Sequence, residues 1–194
     1  MKIGVLALQG DFREHRISLE KLGADVSEVR HPEQLEGLRG LIIPGGESTT
    51  IGKLMVAYGL LDAIRDFGQT KAIWGTCAGA ILLSKDVGKR QPLLELMNIT
   101  IQRNAFGRQI DSFEIDLPVP FLTPREPDYH LTFIRGPIIT EAYGGAQPLL
   151  SLPDGRVIAA QQGKLLATSF HPELTDDLRF HRYFLEMALS ESEN

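Results

Sequence analysis

The segment Gly75-Thr76-Cys77-Ala78-Gly79 places the only cysteine of the chain between two glycines. It follows a short strand-like stretch, Lys71 to Trp74, and leads into a helix-like one, Ala80 to Leu83. A small-x-nucleophile-x-small pattern between a buried strand and a helix describes a nucleophile elbow. The sharp turn holds the nucleophile at strained backbone angles and exposes it. A helix N-terminus after such a cysteine favours the thiolate and aims free backbone N–H groups at developing negative charge. The competing explanation is a structural cysteine packed as a small hydrophobe. Core packing gives no reason for glycine on both sides.

A thiolate nucleophile works with an imidazole, and the imidazole with a group that orients it. The chain has 5 histidines: His15, His31, His130, His171 and His181. His171 follows the apolar run Leu165 to Phe170, which places it at the C-terminal end of a strand, the edge where open α/β sheets bind ligands. Glu173 is two residues on, across Pro172. Residues i and i+2 of an extended segment point the same way, so this carboxylate can fix the imidazole tautomer. His15 and His181 fall inside predicted helices and are expected as satisfied residues on helix surfaces. His31 falls in a loop and receives no role.

A second candidate is Pro44-Gly45-Gly46-Glu47-Ser48-Thr49-Thr50, after the buried run Leu41 to Ile43. Its glycines let backbone N–H groups converge on an oxyanion; a plain turn is the alternative. It is not a phosphate loop, because Gly52-Lys53 is followed by Leu54 rather than a hydroxyl residue.

These segments need a scaffold, and the pattern supplies one. Continuous apolar runs at Ile3 to Leu8, Leu41 to Ile43, Lys71 to Trp74 and Leu165 to Phe170 suit strands buried on both faces. Helices are predicted over Phe12 to Leu22, Thr49 to Tyr58, Leu60 to Phe67 and Leu178 to Leu189, with Gly23 and Gly59 as breaks. A short strand is expected at Ala24 to Val29. The alternation of β and α implies a mostly parallel sheet flanked by helices, an α/β domain. Residues 99–121 change to half-exposed alternation, and further strands are read at Leu131 to Arg135, Ile138 to Tyr143 and Val157 to Gln162. Pro153-Asp154-Gly155 reads as a hairpin turn. Leu83 to Pro92 is the most linker-like stretch, but it separates no two viable units, so one domain is expected over 1–194.

The chain has 194 residues, 43% hydrophobic and 23% charged, with a net charge of −5. This balance excludes a disordered or collagen-like chain and argues against a nucleic-acid partner. No apolar run is long enough to span a membrane or form a signal-peptide core, so a cytoplasmic protein without membrane association is expected. One cysteine allows neither an internal disulfide nor a cysteine-cluster metal site.

Taken together, Gly75 to Gly79, His171-Pro172-Glu173 and Pro44 to Ser48 resemble the class I, triad-type glutamine amidotransferases. The narrower resemblance is to the glutaminase subunits of pyridoxal 5′-phosphate synthase (PdxT/SNO-type). It rests on Leu8-Gln9-Gly10-Asp11 with Glu14-His15, on Pro44 to Thr50, on Gln102 to Gln109 with Ser112-Phe113, and on Phe133-Ile134-Arg135 with Pro137. Gly136 stands where that family usually has alanine. The resemblance covers essentially the whole chain and implies a flavodoxin-like fold. It implies Cys77 as nucleophile, His171 as general base and acid, and Glu173 as its orienting group. The backbone N–H groups of Gly46 and Ala78 would form the oxyanion hole. Gly46, Glu47 and Ser48 would contact glutamine, and Arg103 would hold its α-carboxylate with help from the backbone at Ile134 and Arg135.

The implied reaction is hydrolysis of L-glutamine to L-glutamate and ammonia through a thioester, with no cofactor and no metal. The implied partner is a separate pyridoxal 5′-phosphate synthase subunit (PdxS/SNZ-type) in a hetero-oligomer, contacted near Gln9 and Gly10. A phosphosugar barrel of about 250 residues would not fit in this chain beside a glutaminase. The alternatives are a glutaminase for another amidotransferase pathway, a different cysteine hydrolase of similar fold, and a non-catalytic module that regulates a partner.

Overall fold

The computed structural model describes residues 1–105 and 112–190. Phe106, Gly107, Arg108 and Gln109 of the segment quoted above lie outside the described residues.

The first half alternates as the pattern predicts. The elements are β1 (Lys2–Leu6), α1 (Phe12–Lys21), β2 (Asp25–Val29), β3 (Gly40–Ile43), α2 (Ser48–Ala57), α3 (Leu60–Gly68), β4 (Ala72–Thr76) and α4 (Ala78–Leu83), with a 3-10 turn at Pro32–Leu35. The second half holds β5 (Ser84–Asp86), β6 (Met97–Gln102), β7 (Ser112–Leu117), β8 (Tyr129–Ile134), β9 (Ile138–Ala142), β10 (Gln147–Ser151), β11 (Val157–Gln162), β12 (Leu165–Thr168) and α5 (Arg179–Leu189).

The main sheet runs β2-β1-β3-β4-β12-β11-β9-β6-β5, with β10 paired to β11. From β2 to β12 every pairing is parallel. Beyond β12 the neighbours β11, β9 and β6 turn antiparallel. The strand order of the parallel part is flavodoxin-like, with the chain switching direction across the sheet next to β1. β7 and β8 form a separate antiparallel ribbon.

The central strands feed two cores because alternate residues face opposite ways. In β3, Leu41 and Ile43 pack in the core formed with α2, α3 and α4, while Ile42 packs in the other, with α1, α5 and the β7–β8 ribbon. In β4, Ile73 belongs to the first core and Trp74 to the second. Burial on both faces explains why these strands read as continuous apolar runs.

The expected elements are present, and two were not anticipated. β5 lies inside Leu83 to Pro92, the stretch read as linker-like, and β10 starts at Gln147-Pro148. Both are outer strands whose pairing depends on distant neighbours rather than on a local apolar run. The Pro153-Asp154-Gly155 turn joins β10 to β11, and Gly155 N–H donates to Leu152 O at 2.9 Å. Among the described residues, no helix is long and apolar enough to cross a membrane.

Candidate active site

Cys77 sits between β4 and α4 with φ 48° and ψ −103°. A positive φ is strained for a residue with a Cβ and persists only when its surroundings impose it. Here Cys77 N–H donates to Thr168 O at the end of β12, at 2.8 Å. The helix behind the turn is pressed onto β3: a Cβ at Gly79 would stand 1.9 Å from Ile43 O. Only glycine permits that approach, so Gly79 lets α4 start directly behind the cysteine. Cys77 is buried, and its Sγ lies 3.9 Å from Ile134 O.

β12 ends beside β4, and the chain then turns through a 3-10 helix at Pro172–Leu174, not the extended segment expected, with His171 just before it and Glu173 within it. His171 N–H donates to Thr132 O of β8 at 2.9 Å, which ties the turn to the ribbon. His171 Nδ1 and Glu173 Oε1 are 2.7 Å apart. With Nδ1 engaged, Nε2 is the ring nitrogen left for Cys77. Burial alone would pull the His171 pKa down. The hydrogen bonds with Cys77 and Glu173, together with their charges, outweigh burial and raise it to about 10. Burial raises the Glu173 pKa, against the opposing pull of His171. Asp11 Oδ2 lies 3.6 Å from His171 Nδ1. Asp11, His171 and Glu173 offer donor atoms within 4.8 Å of one another. A metal would need a neutral imidazole there, and the raised His171 pKa opposes that.

The Pro44–Thr50 loop closes over the imidazole. A Cβ at Gly45 would stand 2.6 Å from His171 Cε1, so glycine lets the loop backbone lie against the ring. The next peptide is held from the segment that follows β1: Glu47 N–H donates to Gln9 Oε1 at 2.8 Å. Glu47 caps α2, accepting from Thr49 N–H at 3.1 Å and Thr49 Oγ1–H at 2.6 Å. Arg103 reaches the same carboxylate, Nη2 to Oε1 at 3.1 Å, and donates from Nη1 to Gln91 Oε1 at 3.1 Å. The Thr49 hydroxyl first, and Arg103 with it, hold the Glu47 carboxyl below its ordinary range. Ser48 is buried at the start of α2, and Ala78 is buried at the start of α4. Ile134 ends β8 and Arg135 follows it with φ 48°.

The structure thus gathers Cys77, His171 and Glu173 at the C-terminal edge of the sheet. Gly46 and Glu47 are held there by Gln9, and Arg103 joins through Glu47.

Two histidines overturn their expected place. His15 and His181 are not on helix surfaces; both are 0% exposed. His15 Nδ1 lies 3.0 Å from His181 Nε2, and His15 Nε2 lies 3.0 Å from Thr76 Oγ1. Trp74 packs edge-on against both imidazoles, with centroids 5.6 Å and 5.1 Å away. Its own Nε1–H donates to Thr168 Oγ1 at 3.0 Å. Burial, then the neighbouring His181 and His171, hold His15 well below its ordinary pKa, and burial takes His181 down to about 3. The missed signal was spacing. His15, Ser18 and Leu19 share one buried face of α1, and His181, Phe184 and Leu185 one face of α5.

A doubly wound sheet with a cysteine elbow and a His-x-Glu turn at its C-terminal edge is the architecture of the triad-type glutamine amidotransferases. The chain belongs to the SNO glutamine amidotransferase family, which it matches over residues 5–190. It is 56% identical over 189 residues to a pyridoxal 5′-phosphate synthase subunit PdxT of Moorella thermoacetica, covering 96% of this chain and 99% of that protein. It is 52% identical over 190 residues to the subunit PdxT of Thermus thermophilus, covering 96% and 97%. A solved glutamine amidotransferase superposes with a TM-score of 0.90 at 50% identity, covering 96% of this chain and 98% of that one. A glutamine amidotransferase from Thermotoga maritima shares the fold, with a TM-score of 0.61 at 12% identity, covering 96% and 83%.

Proposed function

We propose that the chain, as one domain, is the glutaminase subunit of a pyridoxal 5′-phosphate synthase: it hydrolyses L-glutamine to L-glutamate and ammonia and delivers the ammonia to a PdxS/SNZ-type synthase subunit. The observation that carries this reading is His171, bonded to Glu173 at 2.7 Å and engaged with the Cys77 side chain. The subunit PdxT relatives and the family match support the pathway.

In this reading the Cys77 thiolate attacks the side-chain amide carbon of glutamine. The backbone N–H groups of Gly46 and Ala78 receive the oxyanion. His171, kept protonated by its partners, gives its proton to the departing nitrogen, and ammonia leaves a thioester. Neutral His171 then takes a proton from water, the hydroxide attacks the thioester, and glutamate is released as the thiolate reforms. Glu173 keeps the imidazole in the required tautomer and stabilises its charge without becoming a proton carrier.

Gly46, Glu47 and Ser48 line the substrate, and Arg103 takes the α-carboxylate beside the backbone of Ile134 and Arg135. Glu47, already paired with Arg103, faces the same zwitterionic group and suits its ammonium. No group in this scheme calls for a cofactor or a metal. The proposed location is the cytoplasm, where a lone cysteine nucleophile stays reduced.

The test is ammonia release from glutamine titrated against the synthase subunit. The isolated chain is expected to show low kcat/KM, rising markedly as the partner is added, because the oxyanion loop is built on Gly45-Gly46 and must be held in one geometry. A flat curve with proven complex formation would refute activation by the partner. Failure to form a complex would point to a different ammonia acceptor.

A further inference from the structure

Glu173 spends one carboxylate oxygen on His171. The other, Oε2, is buried and has no aligned hydrogen-bond donor. A buried carboxylate oxygen in that position needs a positive or N–H neighbour to stay ionised and fixed. His15 Nε2 stands 3.3 Å from it, with both side chains 0% exposed. The same nitrogen lies 3.0 Å from Thr76 Oγ1, on the residue before the nucleophile. On the far side His15 Nδ1 meets His181 Nε2 at 3.0 Å, and His181 Nδ1 ends the series buried without a partner. The groups form one buried line, Cys77, His171, Glu173, His15, His181. α1 and α5 supply the last two.

The two imidazoles can share their protons in two ways. If His15 carried its proton on Nδ1, it would donate to His181. The His15 Nε2 lone pair would then face the carboxylate, and His181 would be left with a buried N–H that has no acceptor. If His15 carries its proton on Nε2, that N–H is aligned on Thr76 Oγ1 at 3.0 Å and presents its positive edge to Glu173 Oε2 at 3.3 Å. His181 Nε2–H then donates to His15 Nδ1, and the unpartnered atom is a bare nitrogen. A buried acceptor without a partner is tolerated more readily than a buried donor without one. Both ends of the line select the second arrangement.

We propose that His15 is a positioning residue for the glutaminase reaction: its Nε2–H steadies the second oxygen of Glu173, and His181 sets the tautomer that makes this possible. The role rests on the glutaminase reading above. With Oε1 bonded to His171 and Oε2 set beside the His15 N–H, Glu173 resists turning about its terminal bond, and His171 stays aligned with Cys77. A neutral imidazole does this without adding a second cation beside the protonated His171.

Nitrogen-15 NMR of the imidazoles in the wild-type protein tests the tautomers independently of activity. Both His15 and His181 are expected neutral and protonated on Nε2. A His15 that is charged, or protonated on Nδ1, would overturn the proposal. Kinetics in the presence of the synthase subunit test the consequence. His15→Leu is expected to lower kcat about 10- to 100-fold, with KM for glutamine changed less than about twofold. His15→Gln, whose amide N–H reaches toward the Nε2 position, should recover about tenfold of that loss. An unchanged kcat in His15→Leu, or equal losses for Leu and Gln, would overturn the role. Should His15→Leu fail to fold, His15→Asn replaces it, since the shorter amide stays polar but stops short of Glu173. An inactive wild-type complex would overturn the glutaminase reading and this role with it. An active wild type with indifferent variants overturns this role alone.

Discussion

His171 is the residue whose environment has the plainest consequences in solution. Its pKa in the fold, about 10, lies above the ordinary 6.5. The bound proton therefore stabilises the folded state. That contribution is fully present below pH 6.5 and is lost as pH rises through about 10. Denaturant midpoints of the wild type should fall across this window, and those of His171→Asn should fall less. Turnover should decline over the same alkaline range, because the leaving nitrogen needs this proton. Cys77→Ser should abolish ammonia release while leaving the unfolding free energy within about 1 kcal/mol of wild type. Glu173→Gln should cost about 10²- to 10⁴-fold in kcat, less than loss of the thiol, since the carboxylate orients and stabilises but forms no bond to substrate. Arg103→Ala should raise KM for glutamine more than it lowers kcat, because the α-carboxylate is remote from the bond that breaks. Wild-type KM in that variant would leave Arg103 as a support for Glu47 and Gln91 only.

Among the elements, the junction of β4 with α4 tolerates the least change. Gly79→Ala would push a Cβ to 1.9 Å from Ile43 O, a backbone atom that cannot swing aside. The expected loss is about 3 kcal/mol in urea unfolding, accompanied by loss of activity as the elbow opens. The glycine spacing that shapes this turn was legible because it is local, and so was the pairing of His171 with Glu173, although a 3-10 turn at Pro172–Leu174 rather than an extended segment brings the two side chains together. His15 and His181 lie on helices, as periodicity predicts, but polar residue type hides their place: their spacing from Leu19 and from Phe184 and Leu185 marks the buried faces. Arg179 was illegible altogether. It is paired with Asp177 and donates to the carbonyls of Pro124 and Pro127, at 3.0 Å and 2.8 Å, from more than fifty residues away. No local pattern announces such a clamp. Arg179→Met should lower stability by about 2 kcal/mol by leaving those carbonyls without a donor.

Across the whole molecule, the parallel half of the sheet decides where chemistry can occur. β1, β3, β4 and β12 deliver Gln9, the glycine loop, Cys77 and His171 to the same edge, each just beyond the end of its strand. A surface hollow of about 810 Å³ lies at the opposite ends of β4 and β12, lined in part by Lys71, Lys164 and Glu95. Its size exceeds what glutamine needs, yet it contains none of the triad. Lys71→Glu should leave kcat/KM for glutamine unchanged in the assembled complex; a large loss would mean that this end communicates with the site. The α/β alternation made the parallel half readable, since each strand announces itself as an apolar run followed by a helix. The antiparallel half was only partly readable. β5 and β10 exist because distant strands offer them edges, and a single segment does not reveal its neighbours.

Trp74 is the only tryptophan of the chain and is fully buried, with two imidazoles against its ring. The molecule therefore contains its own optical reporter, three residues from Cys77. A shielded indole emits at the blue end of its range. An imidazolium beside it accepts an electron from the excited state and darkens it, while a neutral imidazole does so far less. Because burial keeps His15 and His181 uncharged, the emission should stay bright and level through neutral pH. It should dim only in strong acid, as these rings take up protons or the fold opens. Replacing either histidine should alter the intensity, with no label attached.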